Sequence, residues 1–296
     1  MAHAEPQTRT LISQSQLNRR GGRIVYWTVL TLVVGGFTLV FLGPLYWLVT
    51  GGLKSTHEVI QNPPTLFPTQ LHPETYAEAW SKLRLGRLLF NTLYYAFGAL
   101  ALQLVFDVAA AYALSKLRPV LGNLILGLML ATLMIPAAVL IVPQYLTVLD
   151  LPLLHLNLIN SPWAIWLPTV ANAFNIFLLK RFFDSIPADL MAAAAIDGAG
   201  PVRALWSIVL PMSRPIIGVV SIFAVVNVWK DFLWPMLVEP DPRNQPLNIG
   251  INSLATGVPQ NVVIAALAIA SAPTVLFFLL FQRSIMSGLT SGSLKG

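Results

Sequence analysis

Long stretches of this chain carry no charge at all. Ile24 to Leu53, Pro119 to Leu149 and Leu151 to Leu179 are each uncharged. Leu88 to Phe106 is as well, and it extends to Leu114 if Asp107 is tolerated. Pro215 to Trp229 resumes beyond Lys230 and Asp231 as Phe232 to Val238, and Asn244 to Gln282 has its continuous apolar part near Val262 to Phe281. A helix needs about 20 apolar residues to cross roughly 30 Å of hydrocarbon. Only helices and closed barrels satisfy the backbone in lipid, and these runs are too long and too uniformly apolar for barrel strands. They predict an all-α integral membrane protein with six transmembrane helices near 24–49, 88–113, 122–143, 160–183, 214–237 and 261–282. Composition agrees: 56% of the 296 residues are hydrophobic and 10% charged, against roughly 25% charged in a soluble domain. A bilayer is the natural solvent for such a chain.

Lys and Arg set the orientation, because cytoplasmic segments carry their excess. With the amino terminus inside, Arg9, Arg19, Arg20, Arg23, Lys116, Arg118, Lys180, Arg181, Arg203, Arg214, Arg283 and Lys295 are cytoplasmic. Lys54, Lys82, Arg84, Arg87 and Arg243 lie outside, and Lys230 stays in the membrane. Twelve against five places both termini inside. The first 23 residues precede a run longer than the 7–15 apolar residues of a cleavable signal and read as a retained cytoplasmic tail. The division is then 1–23 tail, 24–283 membrane domain and 284–296 second tail. The net charge of +6 is the positive-inside bias and calls for no nucleic acid. Without cysteine there are no disulfides, thiolate metal sites or cysteine nucleophiles. Two outside segments, Gly51 to Arg87 and Val238 to Asn261, exceed the roughly 12–15 residues beyond which loops are usually functional or disordered. Both read as functional.

One inside segment is unusual. From Asp184 to Arg214 the chain spends a long polar-ended, alanine-rich stretch where a short turn would join two membrane runs. Its centre is Pro187-Ala-Asp-Leu-Met-Ala-Ala-Ala-Ala-Ile-Asp197-Gly198-Ala-Gly-Pro-Val-Arg-Ala-Leu-Trp-Ser-Ile208-Val-Leu210-Pro211. Pro187 suits a first helical turn, Met191 to Ile196 are good helix formers, and Gly198 and Gly200 can end the helix. Val202, Leu205, Trp206 and Ile208 on the next short helix are expected to anchor it to the membrane domain.

This stretch resembles the cytoplasmic coupling loop of ATP-binding-cassette importer permeases: Glu-Ala-Ala, three residues, Gly, nine residues, Ile, one residue, Leu-Pro. Ala193, Ala194, Gly198, Ile208, Leu210 and Pro211 fall on that pattern, Asp197 and Ala199 flank the glycine as usual, and Ala192 stands where the family has Glu. Phe177 to Pro187, the Trp229-Lys230-Asp231-Phe232 stretch (with Lys230 for the usual Asn) and the ending from Phe281 to Gly296 resemble the carbohydrate branch. That branch includes the maltose, glycerol-3-phosphate and multiple-sugar permeases. The resemblance implies a type I importer permease fold. It also implies a second homologous permease, an ATPase dimer on the cytoplasmic face that uses ATP and Mg, and an extracytoplasmic sugar-binding protein. It places ATPase coupling at Ala192, Ala193, Ala194, Asp197, Gly198, Ala199, Ile208, Leu210 and Pro211. By the same resemblance, the loop from Glu239 to Gln260 would probe the docked binding protein.

The chain is expected to bind no cofactor itself. It has no Gly-x-x-x-x-Gly-Lys-Ser/Thr phosphate loop, and Gly51-Gly52-Leu53-Lys54-Ser55 fails that spacing. His3, His57, His72 and His155 form no i, i+4 metal pair. Candidates for the solute path are Asp107, Asn172 and Asn175 on one helix face, and Asn227 with Lys230 and Asp231. Each has a structural alternative: membrane asparagines commonly hold helices together, and Asp107 could be a packing acid. A proton-coupled secondary transporter is the rival class. It would rely on Asp107 as a relay and leaves the 184–214 segment unexplained.

Overall fold

The computed structural model describes residues 19–291. Arg9, Lys295 and the end of the carboxyl-terminal resemblance lie outside the described residues. Helix α1 (Arg20–Gly51) crosses first. The short helices α2 (Thr56–Ile60) and α3 (Glu74–Lys82) follow, then α4 (Leu85–Tyr112), which continues through a π-turn at Ala113–Leu117. Next come α5 (Gly122–Thr132), α6 (Ala137–Leu149), α7 (Pro162–Thr169) and α8 (Ala173–Asp184). The alanine-rich segment holds α9 (Ala188–Ile196), α10 (Pro201–Ala204), a second π-turn (Leu205–Val209) and α11 (Leu210–Met212). The chain ends with α12 (Arg214–Lys230), α13 (Leu233–Val238), α14 (Leu247–Leu254) and α15 (Gln260–Ser291).

Helix α1, α4 with its π-turn, and α15 are each long and apolar enough to span a bilayer, and three bent pairs (α5 with α6, α7 with α8, and α10–α11 with α12) bring the number to as many as six. Three expected uninterrupted helices are broken, and each break has a local cause. The 122–143 helix stops at Thr132 and restarts at Ala137 with a 104° bend. Pro136 at the restart lacks an N–H and disfavours helical backbone at Ile135. The 160–183 helix bends by 47° between α7 and α8. There Pro168 lies in the last turn of α7, and the Asn172 side chain accepts the Asn175 N–H (3.1 Å) to start α8. The 214–237 helix ends at Lys230, where Asp231 is extended (φ −68°, ψ 127°) before α13 begins. Hydropathy averages over such breaks, which is why the runs looked continuous.

Three buried clusters organise the molecule. The inner one joins α4, α8 and α12 through Val108, Ala111, Leu179, Phe183, Val219 and Val220. An outer one joins α3, α4, α14 and α15 through Ala79, Leu88, Leu247, Ile251, Val262 and Ala265. The third packs Tyr95 of α4 against Val148, Ile165, Trp234 and Val238. Helix α4 contributes to all three, while Gly51 is the one buried residue of α1.

Candidate functional site

The alanine-rich stretch folds as expected into a short helix, one position later than the proline suggested. Pro187 is the cap preceding α9, with φ −53° and ψ 135°. Gly198 ends the helix at φ +74°, a left-handed conformation that glycine adopts without the Cβ penalty. Its N–H donates to the Ala195 carbonyl (3.1 Å), and the Ala199 N–H donates to Ala194 (2.8 Å). A Cβ at Gly198 would meet nothing within 4 Å in this chain, so the internal constraint is the backbone angle.

Ala192, Ala193 and Asp197 are exposed, Ala194 is buried and Ala199 half-buried. Ile208 and Leu210 are half-buried and Pro211 is exposed. An open cleft of about 330 Å³ runs between α9 and the turns after it, with Ala193, Asp197, Arg203 and Ser207 on its walls. The expected anchor needs correction. Val202 and Trp206 are 70% and 68% exposed. Of the expected four, Leu205 and Ile208 are half-buried, and Leu205 packs with buried Val209 and half-buried Leu210 in the inner cluster. The π-turn at Leu205–Val209 widens the turn and shifts which side chains face inward, so α-helical spacing misplaced them. Ile196, 86% exposed, joins Val202 and Trp206 in giving this surface apolar projections that the family pattern did not include.

Polar contacts tie the segment to α4. The Ser115 hydroxyl donates to Asp184 Oδ1 (2.7 Å). The Lys116 ammonium donates to the Ile186 carbonyl (3.0 Å), and the Tyr112 hydroxyl to the Pro201 carbonyl (2.9 Å). Lys180 completes the group with a 2.8 Å ion pair to Asp184 Oδ2.

Deeper in the bundle, Asp107 is fully buried, and its Oδ1 accepts the Asn172 N–H (2.9 Å). Among the described residues its Oδ2 and the Asn175 Nδ2 have no hydrogen-bond partner. Asn172 precedes α8 as its cap and so does not share a helix face with the buried Asn175. These three side chains meet at the α7–α8 bend, whereas Asn227 lies apart and exposed on α12. Asp231 accepts the Trp234 N–H (3.4 Å) at the break after Lys230. Among the described residues no group of three or more His, Cys, Asp or Glu could hold a metal ion.

On the opposite side the two long loops are ordered by buried polar groups. Lys54 is fully buried, 4.3 Å above the Trp47 ring, and bonded to the Thr65 carbonyl. Glu58 accepts from the Thr65 hydroxyl (2.8 Å) and the Thr69 N–H (2.9 Å). Residues after Glu239 are gripped by α4. The Arg243 carbonyl accepts from Arg87 Nε (3.0 Å) and Asn91 Nδ2 (2.9 Å), and the Asn244 carbonyl from the Tyr95 hydroxyl (2.9 Å). The Leu247 N–H donates to Thr92 Oγ1 (2.8 Å). Helix α14 then packs inward, leaving Asn252 to Leu254 and Thr256 to Gly257 exposed. Pro240, Pro242, Arg243, Pro259 and Gln260 are exposed as well, so the proline-rich loop at 239–260 presents two exposed stretches on either side of the buried part of α14.

Comparison with known proteins agrees with the arrangement. Residues 103–290 match the family described as binding-protein-dependent transport system inner membrane component. The chain is 34% identical over 259 residues to the sulfoquinovosyl glycerol transport system permease protein SmoH of Agrobacterium fabrum, covering 86% of this chain and 89% of that one. It is 32% identical over 271 residues to the sn-glycerol-3-phosphate transport system permease protein UgpE of Rhizobium meliloti, covering 88% and 94%. It is 30% identical over 278 residues to the diacetylchitobiose uptake system permease protein NgcG of Streptomyces coelicolor, covering 92% and 87%. In fold it is similar to a chain in the crystal structure of a bacterial ABC transporter that imports the acidic polysaccharide alginate. That match has a TM-score of 0.78 at 24% identity and covers 90% of this chain and 98% of that one. On these grounds the chain belongs to the binding-protein-dependent transport system inner membrane components, and is a permease subunit of an ATP-driven importer rather than an enzyme.

Proposed function

We propose that this permease imports a carbohydrate or polyol and transmits ATPase closure through the 187–211 segment. The observation that carries the coupling role is α9, a short exposed helix ended by Gly198 at φ +74° beside a polar cleft. Its small residues Ala192 and Ala193 allow close approach by a grooved partner. The relatives' names supply the solute class: a sulfoquinovosyl glycerol, a diacetylchitobiose and a glycerol phosphate, all rich in hydroxyls. The partners in this reading are a second homologous permease, an ATPase dimer that uses ATP and Mg, and an extracytoplasmic binding protein. In this reading α5 with α6, α7 with α8 and α12 with α13 each make one crossing beside α1, α4 and α15, giving six, with both termini cytoplasmic.

Gly198→Arg tests the coupling role. The substitution puts a side chain at a positive φ, costing about 1 kcal/mol or more, and fills the surface facing the ATPase. The variant should insert normally yet lose the ATPase on purification, or lose ATP hydrolysis stimulated by the binding protein in proteoliposomes. Normal values of both would remove the coupling role. Calorimetry on the cognate binding protein tests the solute class, which fails if that protein takes amino acids or metal ions and no polyol. For orientation, Glu74→Cys should react with an impermeant thiol reagent in intact cells while Asp189→Cys stays unlabelled. Labelling at 189 would invert the topology.

A further inference from the structure

We infer that α4 is a third arm of the coupling lever, with Tyr112 and Lys116 as positioning residues that pin α9 at both ends. This rests on the coupling reading of α9. Helix α9 has nine residues, of which Ala194 is the one buried. Buried Ala194 and half-buried Met191, which packs against the inner cluster, fix the helix weakly, since apolar stabilisation scales with the area buried. Packing alone would therefore let α9 rock about its two connections when pushed.

Those two connections are where α4 takes hold. Lys116 bonds the Ile186 carbonyl just before α9, and Tyr112 bonds the Pro201 carbonyl just after it. Ser115 adds a bond to Asp184 at the end of α8. Tyr112 ends the α-helical part of α4, and Ser115 and Lys116 stand on the π-turn at Ala113–Leu117 that continues it. Near the start of α8, Asp107 of α4 accepts the Asn172 N–H. Helix α8 is thus bonded to α4 near both ends, and α9 is held on both sides by the same helix. In chain order α9 lies between α8 and α12, and sequence connectivity alone would send the push only there. The pins send it into α4 as well. Both pins end on backbone carbonyls, so the side chains of the coupling segment carry no trace of them.

The test uses the full complex in proteoliposomes with its binding protein and solute, measuring solute taken up per ATP hydrolysed together with complex stability. Tyr112→Phe deletes one hydroxyl, and Lys116→Met keeps the stem while losing the donor. Each removes one hydrogen bond, and each should lower uptake per ATP roughly fivefold, the double variant more, with ATPase retention and Tm close to those of the unaltered complex. Lys116→Arg keeps a donor and should restore the ratio. A purely structural role would lower Tm and yield without moving the ratio. An unchanged ratio in the double variant overturns the inference. If the double variant fails to assemble, Tyr112→Phe alone decides by the same ratio. Gly198→Arg measured alongside separates the two ideas. If it stays coupled, the coupling reading of α9 falls. If it uncouples while the double variant keeps its ratio, only the pinning falls.

Discussion

Helix α4 grips a loop at each end, in two different ways. At its inner end the bonded groups bracket a short, exposed helix at two points, Ile186 and Pro201. At its outer end Arg87, Asn91, Thr92 and Tyr95 seize consecutive stretches of 243–247, and α14 then buries Leu247, Ile249 and Ile251 behind them. The inner contact fixes the ends of a piece that stays outside the core, as suits a part that is pushed. The outer contact draws its segment into the core, as suits a part that must keep its shape. From Tyr95 to Tyr112, at 1.5 Å per residue, α4 holds the two grips about 25 Å apart.

The hardest way to break this comparison is at Gly250, where a Cβ would come within 2.3 Å of the Leu88 side chain. Gly250→Val should cost about 3 kcal/mol by overpacking, read as lost yield and lowered Tm. Surviving complexes should keep their uptake per ATP. If that ratio falls as it does for Tyr112→Phe, the outer grip transmits too and the distinction fails.

Glu239 gives a smaller and pH-dependent effect. It lies just past α13, fully buried, with neither carboxyl oxygen hydrogen-bonded among the described residues. Burial pushes its pKa up from 4.5 to about 7, with Asp241 adding to this and Tyr95 opposing it. A raised folded-state value means the native protein holds this proton more tightly than the unfolded chain does. Stability from this group is therefore complete below pH 4.5, declines as pH rises to about 7, and is level above that. Glu239→Gln stays neutral and should remove the decline. Its Tm should match that of the unaltered protein near pH 4.5 and exceed it at pH 8, by on the order of 2 kcal/mol in stability. Equal Tm values at pH 8 would mean the carboxylate is stabilised where it lies. The smallest change is expected for Ala192→Glu, an exposed site on α9, with stability within about 0.5 kcal/mol. A large loss of ATPase retention there would show that the partner groove is shaped for alanine.

Much of the coupling segment was legible because its determinants are local. Alanines favour the helix, and Gly198 and Gly200 both stood where it could end; the structure puts the left-handed residue at Gly198. Charge-free runs located the membrane helices for the same reason. The breaks were missed because hydropathy does not register a backbone turn, although Pro136 and Asn172 were visible signals for two of them. The grips of α4 could not be read at all. Tyr112 and Pro201 are 89 positions apart, and a carbonyl acceptor has no residue signature. Helical spacing pairs Asn172 with Asn175 on one face, whereas its short amide caps the start of α8, a common use of this residue type.

Helix α1 sets a different kind of limit. Of its 32 residues only Gly51 is buried, and a Cβ there or on the following Gly52 would come within 2.9 Å of Ile264 or Ala265 on α15. Elsewhere in the helix no side chain is buried in this chain. Over many generations the stretch from Ile24 to Leu42 is then free to exchange one apolar residue for another, answering only to what surrounds the subunit. The two glycines at its outer end are not free in this way. That packed end of the helix should resist drift long after its shaft has been rewritten.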